Sequence, residues 1–218
     1  MTNYNYNTNS RILKYTLQMQ TQLIFKQNFE QIRLWALNPY FNGLTYKVTR
    51  TETQTIKQIR DSANKAEKIW GNSMIGQKSN GNWTTLLGEG LVHDVLCKRG
   101  ENPRKPVRKG GYEPDWETDN YIYEVKTRNW TTSGTAGEKV PAVMFKYSDV
   151  PELYGKPLRI VCVAYQEWEL TNSKTKVFGE VGERKRRFLN MAASMGITYI
   201  KFSDLANTDT SDISNNKI

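Results

Sequence analysis

Cysteine and histidine are scarce in this 218-residue chain. Its two cysteines are Cys97 and Cys162, neither of which belongs to a CxxC pair, and its single histidine is His93. A zinc site built from cysteine and histidine ligands is therefore not expected, nor is a catalytic site that needs two or more histidines. Both cysteines stand in apolar sequence, which predicts buried thiols in a reducing compartment.

Long apolar runs are missing as well. The longest, at residues 160–165, is far too short to cross a bilayer. The first ten residues, MTNYNYNTNS, are polar and contain no apolar stretch of the kind found in a signal peptide. We therefore expect an intracellular, soluble protein of the cytoplasm with no membrane partner.

Positive charge is in excess. The chain has 31 Lys and Arg against 22 Asp and Glu, for a net charge of +9. This excess favours a polyanionic partner, with nucleic acid first and an acidic membrane surface second. The 38% hydrophobic content is sufficient for a packed core.

The chain divides by composition into three parts. Residues 1–75 predict a mainly helical N-terminal lobe for recognition or dimerisation, with disorder at 1–10, helices at 10–37 and 53–70, and a short hairpin near 40–50. A Gly/Asn/Ser-rich connection at 71–82 predicts the boundary with a core at 76–205, or alternatively a loop that reaches the substrate. Residues 206–218 predict a disordered tail.

The core segment alternates between helices and strands. Residues 83–97 predict a helix, 121–127 a strand, 158–165 a central strand buried on both faces, 182–195 a helix and 197–202 a further strand. A helix is expected to end near residue 147, a turn at 150–157, and an exposed strand end at 167–169. The order predicts an α/β fold with a mixed central sheet flanked by helices.

The segment PDWETDNYIYEVKTR, at 114–128, concentrates candidate catalytic groups. Strand alternation places Glu124, Lys126 and Arg128 on one face, and a polar turn after Asp115 can fold its carboxylate back beside Glu124. Two converging carboxylates suit a hard cation such as Mg²⁺, and an adjacent lysine suits a phosphate. Glu113 and Asp119 are alternatives if the register differs.

A further carboxylate, Glu89, lies in the apolar helix at 83–97, between Gly88 and Gly90. A carboxylate in such surroundings needs a partner. We expect it to point at the cation site. The alternative is an exposed side chain on a polar strip with Asp94, paired with His93.

Basic residues surround the proposed site in the sequence. A loop at 98–109 holds several cations immediately before Asp115, and a helix start near 184 holds cations that oppose the helix dipole unless a polyanion binds there. The predicted DNA-contacting residues are Arg104, Lys105, Arg108, Lys109, Arg128, Lys139, Arg184 and Arg186.

The pattern Pro114-Asp115 followed by Glu124-Val125-Lys126 resembles the motif of PD-(D/E)xK nucleases. The resemblance covers about residues 80–205, and eight residues separate Asp115 from Glu124, which a tight hairpin accommodates. It implies a restriction-endonuclease-like core in which Asp115, Glu124 and the Val125 carbonyl bind Mg²⁺, or alternatively Mn²⁺. It also implies that Glu89 completes the metal shell and that Lys126 positions or activates the attacking water.

Within this family, a stand-alone basic chain with an extra lobe is most similar to a type II restriction endonuclease. The segment TSGTAGEKV at 132–140 resembles the region after the active-site strand in some of these enzymes. The resemblance implies site-specific cleavage of double-stranded DNA, a homodimer, and a cognate methyltransferase acting on the same site. The alternatives are a structure-specific or repair nuclease and a catalytically silent DNA-binding protein.

Overall fold

A mixed four-stranded sheet organises the protein. The structure, a computed structural model, describes residues 20, 22–38, 56–77, 82–131 and 135–207. The strands are β1 (Trp116–Glu117), β2 (Ile122–Arg128), β3 (Leu158–Ala164) and β4 (Ile197–Lys201), in the spatial order β1-β2-β3-β4. β1 is antiparallel to β2, whereas β2, β3 and β4 are parallel. The chain is therefore α/β, as its segment order predicts.

Helices surround this sheet and account for most of the remaining described residues. They are α1 (Phe29–Leu37), α2 (Ile56–Met74), α3 (Trp83–Lys98), α4 (Val143–Lys146), α5 (Val150–Tyr154), α6 (Tyr165–Asn172), α7 (Glu183–Ser194) and α8 (Phe202–Asn207). A 3-10 helix at Thr135–Ala142 leads directly into α4.

The two faces of the sheet pack into two hydrophobic clusters. Tyr123 and Val125 of β2 join residues of α1 and α3 in the first cluster, whereas Ile122 joins residues of α5 and β3 in the second. In β3, Val161 belongs to the first cluster and Ile160 to the second. The prediction that this strand is buried on both faces is confirmed.

Helix α3 packs unusually close to β2. A Cβ on Gly88 would lie 2.7 Å from Cβ of Thr127, and a Cβ on Gly90 would lie 2.7 Å from Cε2 of Phe25. Both separations are shorter than van der Waals contact allows, so a side chain at either position would push the helix away. Gly88 therefore sets the distance of α3 from β2, whereas Gly90 leaves room for the ring of Phe25.

A buried carboxylate joins α2 to the chain that follows β2. Glu67 is fully buried and accepts hydrogen bonds from Nε1 of Trp35 at 2.9 Å, from the backbone N–H of Trp130 at 2.9 Å, and from both the N–H and Oγ1 of Thr131 at 2.9 and 2.6 Å. Several donors on one carboxylate offset the cost of burying its charge.

Several predicted boundaries are wrong. α2 continues to Met74, so the predicted connection at 71–82 begins inside a helix, where a Cβ on Gly71 would lie 2.7 Å from Cδ2 of Trp83. The predicted turn at 150–157 contains α5. Residues 167–169 are half-buried in α6 rather than an exposed strand end, because Glu167 accepts the backbone N–H of Ser203 at 3.0 Å.

The two cysteines differ in environment. Cys162 is buried as predicted, but Cys97 is exposed, because it lies in the last turn of α3 on its outer side. No helix in the described ranges is long and apolar enough to cross a membrane. The predictions for residues 1–10, for the hairpin at 40–50, for the start of the first helix and for the tail beyond residue 207 lie outside the described residues.

Candidate active site

The β1–β2 hairpin places Asp115 beside Glu124. Trp116 pairs with Tyr123 and Glu117 with Ile122, and Asp115 lies immediately before β1. The Asp115 N–H donates to the Tyr123 carbonyl at 3.0 Å, and Oδ2 of Asp115 accepts the Val125 N–H at 2.6 Å. These two bonds, to the neighbours of Glu124 on either side, hold the Asp115 carboxylate beside Glu124.

Glu124 is the most buried carboxylate of this group, with 4% of the residue exposed. Its Oε1 accepts hydrogen bonds from the hydroxyl of Tyr147 at 2.9 Å and from the ammonium group of Lys126. Its Oε2 is buried without a hydrogen-bond partner among the described residues. An unsatisfied buried polar atom costs about 1–3 kcal/mol, and more when it carries charge. A cation bound at Oε2 would remove this penalty.

Asp115 also lies in an environment that disfavours its charge. Burial, followed by the charges of Glu124 and Glu89, raises the pKa of Asp115 from 3.8 to about 7. The Val125 N–H, which donates to Asp115 Oδ2 at 2.6 Å, and the Lys126 ammonium lower this pKa, but by less. The site therefore has an excess of negative charge that a divalent cation would neutralise.

The carbonyl of Val125 faces the same region. In a strand, the N–H and C=O of one residue point to the same side, and the Val125 N–H points to the Asp115 carboxylate. The Val125 carbonyl therefore points to the β1 side of β2, next to Asp115. Its predicted role as a backbone metal ligand agrees with this direction.

Glu89 approaches the site from the other side of the sheet. α3 covers the face that carries Tyr123 and Val125, so Glu89 lies on that face, next to Trp116 of β1. Its Oε2 accepts a hydrogen bond from Nζ of Lys105 at 3.0 Å, and its backbone carbonyl accepts one from Nε1 of Trp116 at 3.0 Å. The alternative pairing with His93 is not formed, because His93 contacts Asp94 at 3.2 Å.

No group of three or more His, Cys, Asp and Glu side chains lies close enough to hold a metal ion in the described part of the chain. The Glu89 carboxylate is bound to Lys105, which leaves Asp115, Glu124 and the Val125 carbonyl as candidate ligands. Mg²⁺ commonly binds through one or two carboxylates and keeps several waters, so this smaller set still fits a magnesium ion. The two carboxylates proposed as alternatives are less suited, because Glu113 is exposed and Asp119 is 82% exposed at its side chain and pairs with Arg104.

The predicted DNA-contacting residues fall into three groups. Four are exposed and stand as candidates for phosphate contacts: Arg108, Lys139, Arg184 and Arg186. Three in the basic loop are exposed but bound to neighbours: Arg104 to Glu117 and Asp119, Lys105 to Glu89, and Lys109 to the Leu153 carbonyl.

The third group is Arg128 alone, and its environment does not favour a phosphate contact. Only 6% of the residue is exposed, and its Nη1 donates to both carboxylate oxygens of Glu169, at 2.8 and 2.7 Å. Its guanidinium group also lies 5.0 Å from the ring centroid of Tyr165. Strand alternation predicts its face correctly, but α6 covers this end of β2, which the sequence of the strand does not reveal.

Tyr147 is a site residue that the sequence does not indicate. It is 7% exposed, and burial together with the Glu124 charge raises the pKa of its hydroxyl. Tyr147 therefore stays protonated and donates to Glu124 across the ordinary pH range. It follows α4 and reaches the site only through the packing of that short helix on β2 and β3, and no residue pattern signals this contact.

No family model matches this chain, and neither the curated proteins nor the solved structures contain a match. Fold and site alone therefore define its class, an α/β protein with a mixed sheet and an acidic, lysine-containing site at a β-hairpin.

Proposed function

We propose that this protein is a Mg²⁺-dependent, site-specific endonuclease that hydrolyses DNA phosphodiester bonds, with a restriction-endonuclease-like core. The observation that carries the proposal is the buried Oε2 of Glu124, which has no hydrogen-bond partner among the described residues and lies beside Asp115, while Lys126 donates to the other oxygen. This set combines two ligands for a hard cation with one cationic donor for a phosphate.

Each residue has a distinct role in this proposal. Asp115, Glu124 and the Val125 carbonyl would hold Mg²⁺, with Mn²⁺ as an alternative. Such an ion would supply an activated water and polarise the scissile phosphate. The ammonium group of Lys126 donates hydrogen bonds to the attacked phosphate and to the incoming water. Tyr147 keeps the Glu124 carboxylate in one orientation, so that Oε2 faces the cation.

The order of elements supports the restriction-endonuclease-like core. A helix with Glu89 precedes the hairpin, and further helices connect the catalytic strand β2 to the parallel strands β3 and β4. An isolated antiparallel bridge between Arg104 and Glu117 lies on the outer side of β1, where the αβββαβ order of the resembled family has one more strand.

The proposed partner is double-stranded DNA. The net charge of +9 and the exposed cations Arg108, Lys139, Arg184 and Arg186 support binding to a polyanion. An active site in each chain favours a homodimer that cuts both strands of a palindrome. A methyltransferase acting on the same sequence would complete such a system.

The test is incubation of unmethylated phage DNA with the protein in Mg²⁺ and in EDTA. Wild type and Glu152→Gln, a charge-matched control at an exposed position of α5, should give discrete bands only with Mg²⁺, and Glu124→Gln should give none. A smear would indicate a structure-specific or repair nuclease instead. Binding without any cleavage would indicate a silent DNA-binding protein and would refute the enzymatic proposal.

A further inference from the structure

Lys105 occupies the outer carboxylate of the proposed metal site. Its Nζ lies 3.0 Å from Oε2 of Glu89 and 4.1 Å from the ring centroid of Trp116. The indole of Trp116 donates in turn to the Glu89 carbonyl. Lys105, Trp116 and Glu89 thus form one contact unit at the edge of β1, directly beside Asp115 in the chain.

This ion pair occupies Oε2 of Glu89, an oxygen that could otherwise bind a cation. The charge of Glu89 raises the pKa of Asp115, so the two carboxylates sense each other, yet the Glu89 carboxylate bonds to the lysine. A lysine bound to Glu89 competes directly with a cation for the same oxygen. Lys105 therefore opposes the entry of Glu89 into the metal shell.

The ion pair is weak enough to exchange. The Lys105 side chain is 59% exposed, and pairs of this kind are screened by solvent and stabilise by about 1 kcal/mol or less. A DNA phosphate next to the metal site offers the ammonium group an alternative anion at the same place. The basic loop that contains Lys105 is exposed on both sides of this residue, at Arg104 and along 107–109.

We propose that Lys105 couples DNA binding to metal binding, by exchanging between Glu89 in the free protein and a DNA phosphate in the complex. The exchange frees Glu89 to join the metal shell, so DNA tightens metal binding. Because coupling between two ligands is reciprocal, the metal tightens DNA binding by the same factor. Lys105 is a positioning residue in this scheme, and the inference rests on the proposed nuclease function.

The first experiment measures metal affinity without DNA. Tb³⁺ prefers oxygen ligands, and its luminescence is excited through a nearby tryptophan, here Trp116. Lys105→Gln removes the competitor of the metal, so we expect it to bind Tb³⁺ about threefold to tenfold more tightly than wild type. A residue that only stabilises the loop would weaken binding or leave it unchanged when replaced.

Lys98→Gln is the matched control. The Lys98 side chain is 61% exposed, and its Nζ lies 3.9 Å from Glu30 and 3.6 Å from the ring centroid of Phe29. Like Lys105, it is therefore an exposed lysine that contacts one carboxylate and one aromatic ring. Its acidic partner is Glu30 rather than Glu89, and we expect its substitution to leave Tb³⁺ affinity at the wild-type value. Thermal melts should show both variants folded.

The second experiment measures the coupling itself. The affinity for a fluorescent duplex is compared in Ca²⁺, which also takes oxygen ligands, and in EDTA. Wild type and Lys98→Gln should bind the duplex several-fold more tightly with Ca²⁺, whereas Lys105→Gln should show a smaller ratio, which reflects only the direct contact between the metal and the phosphate.

The outcomes separate the two proposals. Absence of tryptophan-sensitised Tb³⁺ binding in wild type would refute the metal site and with it the proposed function. Normal Tb³⁺ binding in wild type with weaker or equal binding in Lys105→Gln would overturn the coupling role alone. An undiminished Ca²⁺ effect in Lys105→Gln, equal to that of wild type, would do the same.

Discussion

Replacement of Asp115 by asparagine should make the metal-free protein more stable, although it removes a proposed catalytic residue. Burial and two nearby carboxylates raise the pKa of Asp115 from 3.8 to about 7. A group whose pKa is raised on folding stabilises the folded state below its ordinary pKa, and this contribution is lost as the pH rises through the folded value. The stability of wild type should therefore fall as the pH rises from about 4 to about 8.

The magnitude follows from the two pKa values. A tenfold change in proton affinity corresponds to about 1.4 kcal/mol. The raised pKa of Asp115 therefore costs the folded state about 4 kcal/mol at pH 8, where the carboxylate is ionised, and about 2 kcal/mol at pH 5, where Asp115 must take up a proton on folding. Asparagine carries no charge and keeps an oxygen that can accept the Val125 N–H. Asp115→Asn should thus exceed wild type in free energy of unfolding by these amounts.

The assay is urea denaturation followed by tryptophan fluorescence, at pH 5 and pH 8 in EDTA. Asp119→Asn is the control in the same hairpin, because its side chain is 82% exposed and its loss should change stability by about 1 kcal/mol or less at either pH. Added Mg²⁺ should stabilise wild type and leave Asp115→Asn unaffected. The reasoning is refuted if Asp115→Asn is no more stable than wild type at pH 8, or if its advantage does not grow from pH 5 to pH 8.

Three further substitutions test the surroundings of the site. Tyr147→Phe removes the hydrogen bond that orients Glu124, a proposed metal ligand. Metal titration should show several-fold weaker binding, and urea denaturation should show a loss of about 1 kcal/mol. Gly88→Ala should lower the free energy of unfolding by about 1–3 kcal/mol, because the added Cβ would overlap Thr127 of β2. Gly182→Ala is the control and should change it far less, because a Cβ there meets nothing within 4 Å. Equal effects would contradict the close packing of α3. Arg186→Ala should make the slope of log K for DNA binding against log salt concentration shallower by about one. An unchanged slope would mean that the start of α7 does not contact phosphate.

The sequence predicted those features that depend on local pattern. Alternation at 121–127 and the turn formers before it predicted the hairpin that brings Asp115 to Glu124, and the continuous apolar run at 158–165 predicted the buried strand β3. Glu89 was correctly placed on a helix because its neighbours are apolar around most of the turn.

The features that the sequence could not predict depend on contacts between distant segments. Arg128 is buried because Glu169 lies 41 residues further along the chain, and Tyr147 reaches Glu124 across 23 residues. The pairing of Lys105 with Glu89 likewise needs the basic loop to fold back along α3. No residue spacing encodes such contacts, because each is set by how separate elements pack.

The buried carboxylate of Glu67 has a consequence for dissecting this protein. It supplies the acceptor for backbone N–H groups at Trp130 and Thr131, immediately after the proposed catalytic strand. A truncation that removes residues 1–70 would remove the acceptor of these buried donors. The loss would destabilise the folded state by about 1–3 kcal/mol for each donor. Inactivity of such a fragment would report damage to the strand end rather than loss of a recognition surface. The helix that carries Glu67 therefore supports the end of β2, and any redesign of this helix would have to keep an acceptor for the N–H groups of Trp130 and Thr131.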